Sequence, residues 1–372
     1  MKISRRTALQ FGIGSAAGLI LGARRSLMAD TIAAGGADVP WLAEIQKPPP
    51  QLPKDSPTLG AILVDGDGEP ISSVSAWEKQ RNLIRGQWLD FLGYENLKRP
   101  TNIQLKVLDE DRPQGVVRQL VQYEIEPGMP TEAYLLRPAA AGANRPAVAV
   151  FHSTVNHSIR QPAGVEGAPE KAFGLKLAQA GCVAFCPRNY LWPTNHKIDA
   201  QQEAARFHGR HPGTLGMAKM LLDAVVAIDI LVAQPDVDAK RIGAVGHSLG
   251  AKEVLYLAAL DDRVKVTVSS EGGIGTKFSN WDAPWYLGEG IRDDAFTREH
   301  HELLALVAPR PFLLLGGDSA DGDRSWPFIE AALPVYKLYG SPARVGLLNH
   351  KQGHGVPPEA EKKIYQWFEA YL

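Results

Sequence analysis

The feature that most constrains this chain is a five-residue turn with apolar structure on both sides. Residues 241–245 read as a short buried strand and residues 249–260 as a helix rich in Ala and Leu, and between them stand Gly246-His247-Ser248-Leu249-Gly250. A strand that runs directly into a helix over Gly-x-Ser-x-Gly puts the serine on a sharp, strained turn, while the glycines leave room for neighbouring backbone. The helix N-terminus beneath it adds partial positive charge. In that setting Ser248 is a candidate nucleophile and the Leu249 N–H a candidate oxyanion donor. The competing interpretation is an ordinary strand-to-helix turn.

The flanking sequence repeats the same alternation. Strands are predicted at 116–125 and 132–137, paired around Pro127-Gly128, and then at 147–151, 182–186, 264–269, 312–315 and 344–348. Helices are predicted at 77–92, 168–180, 215–233, 297–306, 326–339 and 358–371. Strands alternating with helices imply a mainly parallel central sheet with helices on both faces. Residues 30–100 form an N-terminal linker or strap plus one helix, extended where Pro48-Pro49-Pro50, Pro53 and Pro57 fall, and residues 101–372 form the catalytic domain. Asp65-Gly66-Asp67-Gly68 lacks the spaced ligands and closing Glu of a calcium loop and reads as a turn.

The first 29 residues read as an export signal. Ser4-Arg5-Arg6-Thr7 precedes an apolar run at 11–23 and small residues that allow a cut after Ala29. The paired arginines resemble a twin-arginine signal, and the apolar run is shorter than the ~20 residues of a membrane-spanning helix. The alternative is an uncleaved anchor. The expectation is a periplasmic or extracellular protein with no stable membrane span after cleavage. A formal net charge of −1 argues against a nucleic-acid partner. Cys182 and Cys186 lie four apart on a strand, roughly 13 Å at about 3.3 Å per residue, beyond the about 7 Å a disulfide spans. They read as core residues.

A base is expected on the loop after the last strand, in Asn349-His350-Lys351-Gln352-Gly353-His354-Gly355. His354, flanked by glycines, is favoured over His350; an imidazole with a pKa near ~6.5 can take a serine proton. For the acid, Asp321 in the loop after strand 312–315 comes first, Glu271 at the end of strand 264–269 second, and Asp318 third. A second oxyanion donor is expected from the loop after strand 147–151, at the N–H of Ser153 or Thr154, with His152 orienting that loop. Lys252 falls one helical turn beyond Ser248 and either holds a carboxylate or sugar hydroxyl of the substrate or neutralises Glu271. Trp281 and Trp285 lie on an apparent insertion, where they either stack on a sugar or pack as a lid. His300 and His301 read as the start of a helix, and His208 with His211 lacks further metal ligands. No metal or organic cofactor is called for.

The run Gly246-His247-Ser248-Leu249-Gly250-Ala251-Lys252, together with Ser269-Ser270-Glu271-Gly272-Gly273, resembles the glucuronoyl esterases of the α/β-hydrolase superfamily. Ala308-Pro309-Arg310-Pro311 before a strand is similar to the same superfamily, including acetyl xylan esterases and dienelactone hydrolases. The resemblance implies an α/β-hydrolase fold, a uronate-binding role for Lys252 and a triad acid at Glu271. Leu249 stands where those esterases carry an arginine. The resulting expectation is an exported serine hydrolase that cleaves small-molecule or saccharide esters through an acyl-enzyme. The alternatives are a catalytically silent saccharide-binding protein and a peptidase or lipase of the same fold, although no long apolar lid suits a lipase.

Overall fold

In the computed structural model, residues 38–193, 198–340 and 342–372 are described. The export signal expected at 1–29 lies outside the described residues. Nine strands form one sheet: β1 (Lys106–Asp111), β2 (Val116–Glu126), β3 (Met129–Pro138), β4 (Arg145–Phe151), β5 (Val183–Pro187), β6 (Val237–His247), β7 (Val264–Ser270), β8 (Phe312–Gly316) and β9 (Val345–Asn349). Their spatial order is β1-β2-β3-β5-β4-β6-β7-β8-β9. β1, β2 and β3 pair antiparallel, as do β3 and β5, and every pair from β5 to β9 is parallel. The chain moves from β4 to one side and then returns to place β6 on the other. The carboxyl ends of β4 and β6 therefore flank a topological switch point, where open α/β sheets bind ligands.

Alternation along the parallel strands explains their continuous apolar runs. Ala147, Ala149 and Phe151 face one core, and Val148 and Val150 the other. The first face is covered by α1 (Val74–Leu92), α4 (Gly216–Val232), α5 (Leu249–Leu260), α6 (His301–Val307) and α7 (Trp326–Leu338), the second by α2 (Phe173–Gln179) and α8 (Pro358–Tyr371). In α1 the buried Trp77, Arg81, Ile84, Trp88 and Leu92 recur at helical spacing; Ser73 caps the start and left-handed Gly93 the end. A side chain at Gly93 would also run into the Gly213 carbonyl at 2.3 Å. Cys182 and Cys186 are free and buried. Asp65 closes its turn through its own carboxylate, which accepts the Asp67 N–H at 3.0 Å and the Glu69 N–H at 2.9 Å.

The structure departs from the sequence reading at several places. The helix expected at 168–180 is shortened by a 3-10 turn at Pro169–Lys171. α6 starts at His301 rather than 297, after a turn in which Glu299 holds the Thr276 backbone and hydroxyl. α3 (Ala200–Arg210) was not expected, because only Ala204 and Phe207 of its eleven residues are buried and the periodic signal is thin. The strap packs onto the domain through specific contacts. Trp41 stacks on Trp367, the Leu347 N–H donates to the Ile45 carbonyl at 2.9 Å, and Gln46 donates to the Val345 carbonyl at 3.0 Å. These contacts cover the outer edge of β9, which an open sheet otherwise leaves unpaired.

Candidate active site

At the end of β6 the chain turns into α5 over Ser248, whose φ of 59° and ψ of −114° are unusual for a residue with a side chain. The Ser248 N–H donates to the Ser270 carbonyl at 2.8 Å, tying the turn to the end of β7. Close approach explains both glycines. A Cβ on Gly246 would lie 2.1 Å from the Gly250 carbonyl oxygen, and one on Gly250 would lie 2.3 Å from the Phe151 carbonyl oxygen. Larger residues would push α5 off β4 and β6. As the first residue of α5, Leu249 offers an N–H with no acceptor inside the helix.

Ser248, Leu249, Lys252, Glu271, Trp285 and His354 line one cavity of about 110 Å³, together with Thr154. The His354 Nδ1–H donates to Glu271 Oε2 at 3.1 Å, which leaves Nε2 as the basic nitrogen. Glu271 is 1% exposed. Its carboxylate also accepts the backbone N–H groups of Gly317 and Ala320, the latter at 2.8 Å. Asp321, first in the sequence reading as the acid, has no hydrogen bond to His354. Its carboxylate is turned into the loop after β7, where it takes the N–H of Gly273 and of Ile274 at 2.7 Å each and the Ser325 hydroxyl at 2.9 Å. Burial raises its pKa even so. Asp318 is directed to the Asn349 side chain at 2.7 Å. His350, the rival base, is packed against Gly317 and is not among the residues lining the cavity with Ser248.

Two histidines outside the Ser–His–Glu set shape this region. His247, the variable residue of the turn, donates from Nε2 to the His354 carbonyl at 3.0 Å, and its Nδ1 accepts from the Ser270 hydroxyl at 2.9 Å. Burial holds its pKa well below the usual value, so it is neutral and pins the loop that carries His354. His152 is also buried and neutral, its pKa pushed down to about 4 by desolvation. Its Nε2 accepts the Asn189 N–H at 3.2 Å, so the proton sits on Nδ1 and is donated to the Ser153 carbonyl at 2.8 Å. The Val155 N–H donates to the same carbonyl at 2.9 Å. In a planar trans peptide, fixing the Ser153 C=O points the Thr154 N–H the opposite way. The Ser153 N–H is already directed to Gln161 Oε1, at 3.3 Å.

Lys252 is 4% exposed, and among the described residues its ammonium has no hydrogen-bond partner. It lies 3.9 Å from the centre of the Trp281 ring and 5.0 Å from that of Tyr286, and desolvation lowers its pKa to about 7. No ion pair joins it to Glu271 among the described residues, so the neutralising role weighed for it has no contact behind it. The two tryptophans of the insertion separate. Trp285 lines the cavity, whereas Trp281 is 0% exposed, donates to the Gly273 carbonyl at 2.7 Å and packs on His300. A sugar cannot reach the Trp281 face.

A mostly parallel sheet with a nucleophile-type turn after β6, at the switch point, defines an α/β-hydrolase. Within it, residues 131–306 match the Dienelactone hydrolase family. Among curated proteins, Carbohydrate esterase MZ0003, from an unknown prokaryotic organism, is 27% identical over 135 residues, covering 31% of this chain and 31% of that protein. YtaP of Bacillus subtilis (strain 168) is 32% identical over 109 residues, covering 28% of this chain and 36% of YtaP. The matches thus span about a third of the length of these curated relatives, 31% and 36%. Among solved structures, a glucuronoyl esterase from Solibacter usitatus superposes with a TM-score of 0.62 at 19% identity, covering 86% of this chain and 99% of that one. This likeness is one of fold. Among the described residues no helix is long and apolar enough to cross a membrane.

Proposed function

We propose that this protein is an exported serine esterase that cleaves carbohydrate-linked carboxylic esters through an acyl-enzyme. The observation that carries the reading is the Glu271–His354 hydrogen bond beside the strained Ser248, all three lining one cavity. In this reading His354 Nε2 takes the Ser248 proton as Oγ attacks the ester carbonyl. The oxyanion receives the N–H groups of Leu249 and Thr154, the latter preferred to Ser153 because the Ser153 N–H is already bonded. Collapse expels the alcohol, protonated by His354, and water then attacks the acyl-serine with the same histidine as base. Glu271 holds the imidazole in the tautomer with its proton on Nδ1 and stabilises the imidazolium. Every step runs on side chains and backbone of this chain.

The carbohydrate part of the reading draws on the named relatives and on a cavity that pairs Trp285 with Lys252, an aromatic face with an amine that has no hydrogen-bond partner among the described residues. Export draws on the arginine pair and apolar run at the N-terminus; with Arg5 and Arg6 changed to Lys, precursor is expected to stay in the cytoplasm. The test of function is hydrolysis of a small activated acetyl ester. Ser248→Ala should abolish turnover while its melting temperature stays near that of the parent, and retained turnover would defeat the mechanism.

A further inference from the structure

A second buried carboxyl, Glu253, lies on α5 five residues beyond Ser248 and takes no part in the steps above. It is 3% exposed, and its Oε1 accepts a hydrogen bond from Asn189 Nδ2 at 3.1 Å. The orientation of the Asn189 side chain is fixed, because its Oδ1 accepts the Leu191 N–H at 3.0 Å. The backbone N–H of the same asparagine donates to His152 Nε2, and His152 Nδ1–H holds the Ser153 carbonyl. The same stretch is anchored by Trp192, which packs edge-on against His152 at 4.7 Å and donates to the Val155 carbonyl at 2.8 Å. A continuous hydrogen-bonded chain therefore runs from α5, through the segment after β5, to the peptide that carries the Thr154 N–H.

We infer that Glu253 is a positioning residue that aims the Thr154 oxyanion donor through Asn189 and His152. The inference rests on the reading of Ser248 and Thr154 given above. The surroundings favour the neutral form. Among the described residues, the groups that act on Glu253 or that it acts on are Asn189, which favours the charged form through its hydrogen bond, Asp223 of α4, Tyr123 of β2, Tyr190 after β5 and Tyr286 of the insertion; none is a cation. Lys219 is engaged by Asp223 and Glu126, and Arg188 by Glu132. Burial accordingly pushes the Glu253 carboxyl up to about 8. Ionisation leaves an unpaired carboxylate in the interior beside Asp223, and the relief for such a charge is entry of water. Water that solvates the carboxylate competes with Asn189 Nδ2 for Glu253 Oε1, so the Asn189 side chain is disturbed and the aim of Thr154 with it.

The test is the pH profile of kcat for a neutral activated acetyl ester, a substrate blind to the charge of Lys252. The parent should lose kcat as pH rises through about 8. Glu253→Gln, which keeps a neutral acceptor for Asn189, should retain most of the parent's kcat at neutral pH and lack that alkaline fall. Glu253→Leu should lower kcat by about tenfold or more with little change in KM, a fraction of the roughly 10²–10³ lost with a whole oxyanion donor. Infrared difference spectra between neutral and alkaline pH should show a protonated-carboxyl band in the parent that is missing in Glu253→Gln. An unchanged alkaline limb in Glu253→Gln overturns the inference, and that variant decides the matter even if Glu253→Leu fails to fold. Ser248→Ala separates the two levels. If it retains activity, the esterase mechanism itself is wrong; if it is inactive and Glu253→Gln keeps the parent's limb, only the positioning role falls.

Discussion

The loops after β7 and after β8 each carry a buried carboxylate, and each carboxylate is bound mainly by the other loop. Glu271, from the β7 loop, accepts the N–H groups of Gly317 and Ala320; Asp321, from the β8 loop, accepts those of Gly273 and Ile274. The two are thus reciprocal latches. They differ in the third partner, which is His354 Nδ1 for Glu271 and the Ser325 hydroxyl for Asp321. A carboxylate latched by two backbone donors is immobile, so its remaining lone pairs have one fixed direction. In Glu271 that direction meets His354 Nδ1, and in Asp321 it meets the Ser325 hydroxyl. Position after a strand is therefore a weaker guide to which carboxylate meets His354 than the direction left over once the backbone is satisfied.

The largest effect that could break this comparison comes from Glu271→Gln. It should lower kcat on an acetyl ester by roughly 10³–10⁴, the scale of losing an orienting carboxylate. Lys252→Met comes next. It should raise KM for an acidic ester by about 10–100-fold, from the ~1.5–3 kcal/mol of a hydrogen bond to a charged group, and leave a neutral ester little changed. Lys252 is cationic below pH about 7 and neutral above it, so the parent's kcat/KM for the acidic ester should fall as pH rises through that value while Lys252→Met shows no such fall. Asp321 is the leading charge that holds the Lys252 pKa up, so in Asp321→Asn the fall should move to lower pH. Asp321→Asn should otherwise act on stability. An amide cannot accept both N–H groups, and a buried donor left without a partner costs about 1–3 kcal/mol, read as a lowered denaturation midpoint with kcat within about tenfold of the parent. Ser325→Ala, which removes one neutral hydrogen bond, should cost about 0.5–1.5 kcal/mol and leave kcat unchanged.

What could be read from the sequence follows the range of the forces involved. The turn at Ser248 is local: strand, glycines and helix lie within twenty residues, and the fold class follows from the same alternation. The loop of His354 is legible because it falls between the last strand and the last helix. The choice between Glu271 and Asp321 is not local, since it depends on which loop's N–H groups each carboxylate meets across the sheet edge. His247 gave no signal either. It occupies the variable position of the turn, and its partners Ser270 and the His354 carbonyl are 23 and 107 residues away. Trp281 and Trp285 are equivalent by type and nearly adjacent, yet one is sealed under the insertion and one lines the cavity. The packing of Trp41, Leu42 and Ile45 against α8 and β9 was not legible, because these residues precede a proline-rich stretch and their contacts have no local pattern.

The most direct measurement is the rate and site of labelling by a serine-directed fluorophosphonate in the parent, Glu271→Gln and Asp321→Asn. A single adduct is expected on the peptide containing Ser248, formed orders of magnitude more slowly in Glu271→Gln and at nearly the parent's rate in Asp321→Asn. An adduct on another residue, or Asp321→Asn reacting more slowly than Glu271→Gln, would contradict that expectation.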